Sequence, residues 1–355
     1  MSYKFTAACL KFSCLALLLL IIQSTSAQTN RKNPKEVGVA RFATLDAMVQ
    51  QNQKLLGDDV VAMVWTDTLV YKRELGEFDA RTLAPVASAS KWLTAVLVLK
   101  MVEEGKISLD DKISYYIPIF ATYGKNYITI RHCLSHFTGI QSDTRFLERK
   151  KFGSLEEEVA SFAKKEIKTN PGTEFSYSNV GLNIAGRVLE IVTKKKFDML
   201  AKQKLFNPLQ MRKTSFSTLD GSALNPSGGA QSTAEEYMRF LKMLLNNGKH
   251  NGQQFLSEAS IKELRTITTT PQTIKYVPKT AEGFGYALGS WAISEGANGQ
   301  ASVLASPGLF GTWPMVDWER GYACLFFAKT LLSDQKKEAY LRMKDAIDET
   351  VEKKI

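Results

Sequence analysis

Histidine and cysteine are scarce: His132, His136 and His250 are the three histidines, and four cysteines complete the set in 355 residues. Metal centres draw chiefly on these two residue types, so a multi-ligand metal site is not expected, and a Ser-His-Asp triad has few candidates. His132 and His136 stand four apart, yet no third ligand declares itself, and no cofactor is expected. The net charge of +10 is not gathered into any basic block with interleaved aromatics, so nucleic acid is excluded as a partner. Internal repeats, low-complexity segments and linkers are also missing. What remains is 44% hydrophobic and 23% charged, a globular chain long enough for one large domain or two intimately packed lobes.

The first 27 residues carry Lys4 and Lys11, then the apolar run FSCLALLLLII, then QSTSA. A positive start, a short apolar stretch and small residues before a cut describe a secretory signal. The apolar run is shorter than the ~20 residues that span a bilayer. Cleavage is expected between Ala27 and Gln28, giving an exported, periplasmic or extracellular chain of residues 28–355 with no integral span. Cys133 and Cys324 would remain, in the apolar contexts HCLSH and YACLFFA. Pairing is open to them in an oxidising compartment, and two buried free thiols are the favoured state.

Apolar spacing predicts an amphipathic helix over 41–56, and β-branched runs predict strands at 60–66 and 69–75 about a two-residue turn. Residues 91–104 (KWLTAVLVLKMVEE) form a long apolar run free of Gly and Pro, closed by Gly105, the pattern of a buried, capped helix. Further helices are predicted at 130–135, 154–167, 179–194 and 233–246, the last with Ser232 and Glu235 as its capping box. Strand character returns at 285–293 and dominates 302–329, with a turn at Gly321, before a final helix over 333–352. The expected fold is α/β in the α+β sense. A mainly antiparallel sheet is built from both chain ends (about 40–90 and 280–355), and a mostly helical lobe is inserted at about 105–265.

Three segments carry candidate chemistry. Ser88 and Lys91 lie three apart at the mouth of the apolar helix, so they share a face about a turn apart. The helix dipole favours negative charge at Ser88, while apolar surroundings disfavour the charged form of Lys91 and make it a base. The same residues also fit a helix cap followed by a solvated lysine. Tyr177 and Asn179 follow Pro171-Gly172. A lysine ammonium beside Tyr177 would lower its pKa and make it a base, and Asn179 would hold Lys91 or orient a substrate amide; taken alone, the motif fits a core tyrosine and an asparagine N-cap better. Ser306-Pro307-Gly308-Leu309 opens the last strands, where small residues let a backbone approach a ligand or form a bulge.

In this order, with SASKWLTAVLVLKMVEEGKISLDDKI, ITIRHCLSHFTGI, PGTEFSYSNVGLNIAGRVLEIV, NPSGGAQSTAEEYMRFLKMLLNNG, FGYALGSW and SPGLFGTWPMVDWERG, the chain resembles the serine β-lactamase and penicillin-binding protein superfamily. Within it, the likeness is to the class C β-lactamase and family VIII carboxylesterase branch. The resemblance implies Ser88 as nucleophile, Lys91 and Tyr177 as a coupled base system and Asn179 as the substrate-orienting amide. The Ser88 and Leu309 amides would form the oxyanion hole, with Ser306 and Gly308 in the substrate-binding segment and His136 as a structural residue. Ser306 departs from the Lys or His that usually opens the family's third motif, which removes the charge that would pair with a substrate carboxylate. The expectation is therefore a small-molecule ester, amide or peptide substrate, with uncharged esters or amides preferred. The alternatives are a β-lactamase or D-alanyl-D-alanine peptidase, and a non-catalytic sensor or binding protein.

Overall fold

The computed structural model describes residues 36–67, 70–142, 151–218 and 221–353; the expected signal segment lies outside them. The chain starts with a short strand β1 (Glu36–Val37), helix α1 (Ala43–Gln51) and the hairpin β2 (Val60–Trp65) and β3 (Val70–Leu75). The helical part follows: α2 (Ser90–Glu103), α3 (Ile130–Leu134), α4 (Leu155–Ala163), α5 (Val180–Thr193), α6 (Ala234–Leu245) and α7 (Glu258–Arg265). The chain then returns through β4 (Gly285–Tyr286), β5 (Trp291–Glu295), β6 (Ala301–Ala305), β7 (Trp313–Asp317) and β8 (Tyr322–Ala328) to α8 (Asp334–Thr350).

The eight strands form one sheet in the order β1-β3-β2-β8-β7-β6-β5-β4, antiparallel at every junction. The two chain ends are joined where β8 pairs with β2, Phe326 opposite Ala62. Side-chain alternation along these two central strands assigns each face. Val60, Ala62, Val64, Cys324 and Phe326 pack with Phe42, Leu45, Tyr340, Met343 and Ile347 of α1 and α8. Val61, Leu325 and Phe327 face the opposite side, in one core with α2, α5 and α6. Both faces are covered, so both strands are apolar throughout rather than half polar. Cys133 and Cys324 are buried free thiols in these two different cores, on opposite sides of the sheet.

Several boundaries differ from the sequence reading. The first helix stops at Gln51, capped by Asn52, and residues 52–57 turn back toward β2. The long run over 302–329 is interrupted by the loop 306–312, in which Pro307 and Gly308 break the ladder. The α6 cap is Thr233, whose side chain accepts from the Glu236 N–H, rather than Ser232. The Glu236 carboxylate instead accepts from the Lys213 and Thr214 N–H groups, so no capping box forms.

Candidate active site

Ser88 sits in a one-turn 3-10 segment, Ala87–Ala89, immediately before α2. Ala87 has φ +44, a left-handed backbone that costs an alanine roughly 1–2 kcal/mol. This bend leaves Ser88 half-exposed while Ala87, Ala89 and Ser90 are buried. Hydrogen bonds hold the turn on several sides: Tyr237 donates its hydroxyl to the Ala89 carbonyl at 2.8 Å, and Ala230 N–H donates to Ser90 Oγ at 3.0 Å. Gly289 packs against the same turn of helix, where a Cβ would lie 2.7 Å from the Lys91 carbonyl oxygen.

Lys91 is 1% exposed. Its Nζ lies 3.2 Å from Ser88 Oγ, 3.0 Å from Asn179 Oδ1 and 2.9 Å from the Ser227 carbonyl oxygen. No carboxylate is among these partners, and burial without a counter-charge pushes the amine down to about 7. A neutral amine has two N–H donors and one lone pair. Two of its three neighbours are carbonyl oxygens that can only accept, which leaves the lone pair for the Ser88 hydroxyl.

Tyr177 and Asn179 arrive between the short strand Phe175–Ser176 and α5. That strand pairs in parallel with Ile274–Tyr276, and the Tyr177 N–H donates to the Tyr276 carbonyl. Asn179 occupies the N-cap of α5 without making a side-chain cap; its carbonyl accepts from Lys91 instead. Tyr177 is buried, with its hydroxyl hydrogen-bonded to Ser88 and the Lys91 nitrogen 4.9 Å from its ring centroid. Burial raises its pKa well above the usual phenol value, and the Ser88 hydrogen bond opposes this only in part. Burial disfavours the charged form of each group, raising the Tyr177 phenol and bringing the Lys91 amine down to about 7, which runs against the expected phenolate.

His136 lies behind Tyr177, its ring centroid 4.7 Å away. Its Nε2 is 2.9 Å from the Tyr286 hydroxyl, and its Nδ1 accepts from the Ser178 N–H. Burial, then the nearby Lys91, holds its pKa well below the ordinary histidine value. His132 completes the N-terminal cap of α3 with Thr129. Both are thus engaged with local partners.

The 306–312 loop closes the other side. A Cβ on Gly308 would lie 2.2 Å from the Val86 carbonyl oxygen, so glycine is what brings this loop against the Ser88 turn. Leu309 lines the cavity, and among the described residues no acceptor takes its N–H. Ser306 does not line it. It is 3% exposed, with its hydroxyl donating to the Ser88 and Gly289 carbonyls at 3.3 and 3.5 Å. Ser306, expected in the substrate-binding segment, is thus turned to the Ser88 turn rather than to the cavity.

Ser88 opens into a cavity of about 270 Å3. Its lining includes Tyr177, Asn179, Asn225 and Gly228 together with Pro278, Ala281, Trp291, Leu309, Phe310 and Leu332, and the Tyr177 and Trp291 rings lie 4.9 Å apart. Among the described residues, no charged side chain lines it. Sequence reasoning missed the Ser227 carbonyl, a backbone group that no residue type announces. It is fixed by Asn183, which accepts from the Ser227 N–H, and by Thr94, which donates to the Pro226 carbonyl.

Comparison with known proteins agrees with this geometry. The fold is similar to that of a candidate β-lactamase from Bacteroides dorei DSM 17855 (TM-score 0.78, 25% identity, 87% of this chain and 98% of that one). It is also similar to EstCE1, described as a hydrolase with promiscuous acyltransferase activity (TM-score 0.71, 18% identity, 87% and 98%). In sequence, penicillin-binding protein 4 of Amycolatopsis lactamdurans is 27% identical over 256 residues, 63% of this chain and 66% of that protein. Protein flp of Staphylococcus aureus strain MW2 is 32% identical over 136 residues, 37% of this chain, and the match spans 27% of flp. The match to the β-lactamase family model runs from residue 45 to residue 347, through both sheet halves and every element that carries the Ser88 cavity, and the chain belongs to that family.

Proposed function

We propose that this protein is a serine hydrolase that cleaves small uncharged esters or amides through an acyl-enzyme on Ser88, as the carboxylesterase branch of the family would. The observation that carries the reading is the unpaired, buried amine of Lys91, held by two carbonyls with its lone pair toward Ser88 Oγ. Lys91 takes the serine proton as the oxygen attacks the substrate carbonyl carbon. The Ser88 and Leu309 N–H groups receive the oxyanion, an interaction whose loss typically costs about 10²–10³ in rate. The Tyr177 hydroxyl, bonded to Ser88, gives its proton to the leaving group and is reprotonated by the Lys91 ammonium, which restores the neutral amine. Water then attacks the ester along the same proton path and frees the acid.

The uncharged cavity and the inward-facing Ser306 disfavour substrates that need a cation for their carboxylate, which includes penicillins and D-alanyl-D-alanine termini. A short p-nitrophenyl ester, a chromogenic cephalosporin and a D-alanyl-D-alanine peptide, assayed side by side, test this: the ester should turn over fastest by at least about tenfold. Faster cephalosporin or peptide turnover assigns the protein to the β-lactamase or peptidase reading. Failure of a fluorophosphonate probe to label Ser88 favours a non-catalytic binding protein. Residues 28–355 would act as one unit of two lobes after export and cleavage behind Ala27; the mass of the mature N-terminus tests that step.

A further inference from the structure

The acid portion of the substrate has its own wall. Phe310 and Leu332 both line the Ser88 cavity although they come from different segments, the 306–312 loop and the connection between β8 and α8. Two backbone hydrogen bonds splice these segments: Thr330 N–H donates to the Phe310 carbonyl at 3.0 Å and Leu332 N–H donates to the Leu309 carbonyl at 2.7 Å. Leu309 is also the residue whose own N–H is left for the oxyanion. The apolar wall and the oxyanion donor are thus one rigid piece, and a carbonyl bound at Leu309 has its apolar substituent beside Phe310 and Leu332. Neither segment announces this in sequence, since Leu332 lies 244 positions beyond Ser88 and belongs to no motif.

We propose that Leu332, with Phe310, is the residue pair that selects acyl-chain length, and that the acids released are short, unbranched and uncharged. The inference rests on the serine-hydrolase reading above. An acyl chain whose carbonyl is held at the Leu309 N–H meets the Phe310 and Leu332 side chains carried on the same spliced piece. Leu332 is half-buried, with its neighbour Leu331 53% exposed, so this stretch of the cavity lining lies at the protein surface. Shortening that side chain opens the cavity outward, whereas enlarging it shortens the space available. Apolar pockets discriminate by roughly 10–200-fold per methylene at best, so the effect is measurable with a simple series.

The test is the kcat/KM profile of the full chain for p-nitrophenyl acetate, butanoate, hexanoate and octanoate, run on wild type, Leu332→Ala, Leu332→Trp and Phe310→Ala. Leu332→Ala and Phe310→Ala should raise the octanoate-to-butanoate ratio by about tenfold, and Leu332→Trp should lower it. General damage to the site cannot reverse sign between Ala and Trp, which separates selection from misfolding. A ratio unchanged within twofold in all three variants overturns the assignment. So does wild-type enzyme that labels Ser88 with a fluorophosphonate yet hydrolyses none of the series. If Ser88 is not labelled at all, it is the underlying hydrolase reading that fails.

Discussion

Lys91 and Lys344 are both withdrawn from water, 1% and 7% exposed, on opposite faces of the same sheet. Lys344, on α8, points its Nζ at Asp348 (2.6 Å) and Asp317 (3.7 Å). Lys91, on α2, meets only a serine hydroxyl and two carbonyl oxygens. One buried amine has carboxylates beside it and ties strand β7 to a helix. The other has none, and burial brings its pKa down to about 7, which is what the proposed base role requires. Burial alone does not separate structural from reactive lysines here; the presence of a counter-charge does.

The contrast is sharpest in activity. Lys91→Met should lower kcat/KM by about 10²–10⁴ without loss of fold, while Lys344→Met should leave kcat/KM within about twofold; equal losses in the two variants would erase the distinction. The pH dependence has a definite sign. The folded Lys91 has its pKa depressed to about 7 from the lysine model value of 10.5. Activity should therefore climb through a midpoint near 7 and level above it. Between about 7 and 10 the unfolded chain binds the extra proton, so Lys91 adds stability as pH rises. Lys91→Met should melt above the wild type at pH 6, with the gap narrowing by pH 9.

In stability the ranking inverts. Lys344→Met leaves the wholly buried Asp317, whose pKa is already raised by burial, with only Arg320 at 3.8 Å. Loss of one partner from such a group costs about 3 kcal/mol, read as a fall in the urea midpoint. A smaller effect is expected when the missing counter-charge is supplied. Asn179→Asp should hold Lys91 protonated, raise the midpoint of the pH profile by about 1–3 units, and reduce the rate at pH 7 by about tenfold or more; an unmoved midpoint would argue that Lys91 is not the titrating base. The least effect is expected from Ser306→Ala, which removes hydroxyl contacts worth about 1 kcal/mol and should lower kcat a fewfold while preserving the order of substrates.

The proximity of Ser88 to Lys91 could be read from a spacing of three at the head of an apolar helix, because helical geometry is local. The two-ended sheet was legible from runs such as YACLFFA, whose apolar continuity implies a strand covered on both faces. The burial that raises the Tyr177 phenol was not legible, because it depends on the rings of His136, Tyr286 and Trp291 packed around it, and Trp291 and Tyr286 join that group from more than 100 positions away. Nor was Ser306: its place in the third motif suggested the substrate-binding segment, whereas its hydroxyl is buried against the Ser88 and Gly289 carbonyls, backbone groups that no residue type announces. Thr233 rather than Ser232 as the α6 cap is a one-residue shift between two residue types that both cap helices.

The two thiols on opposite faces of the sheet give the molecule an internal reporter. Burial pushes both Cys133 and Cys324 far above the ordinary thiol pKa, so an alkylating reagent finds no thiolate at either position while the cores are closed. Each core would register its own opening: trapping at Cys324 marks loss of the α1–α8 face, and trapping at Cys133 marks loss of the face that carries Lys91. The order in which the two become reactive under mild denaturant tells which half of the protein gives way first.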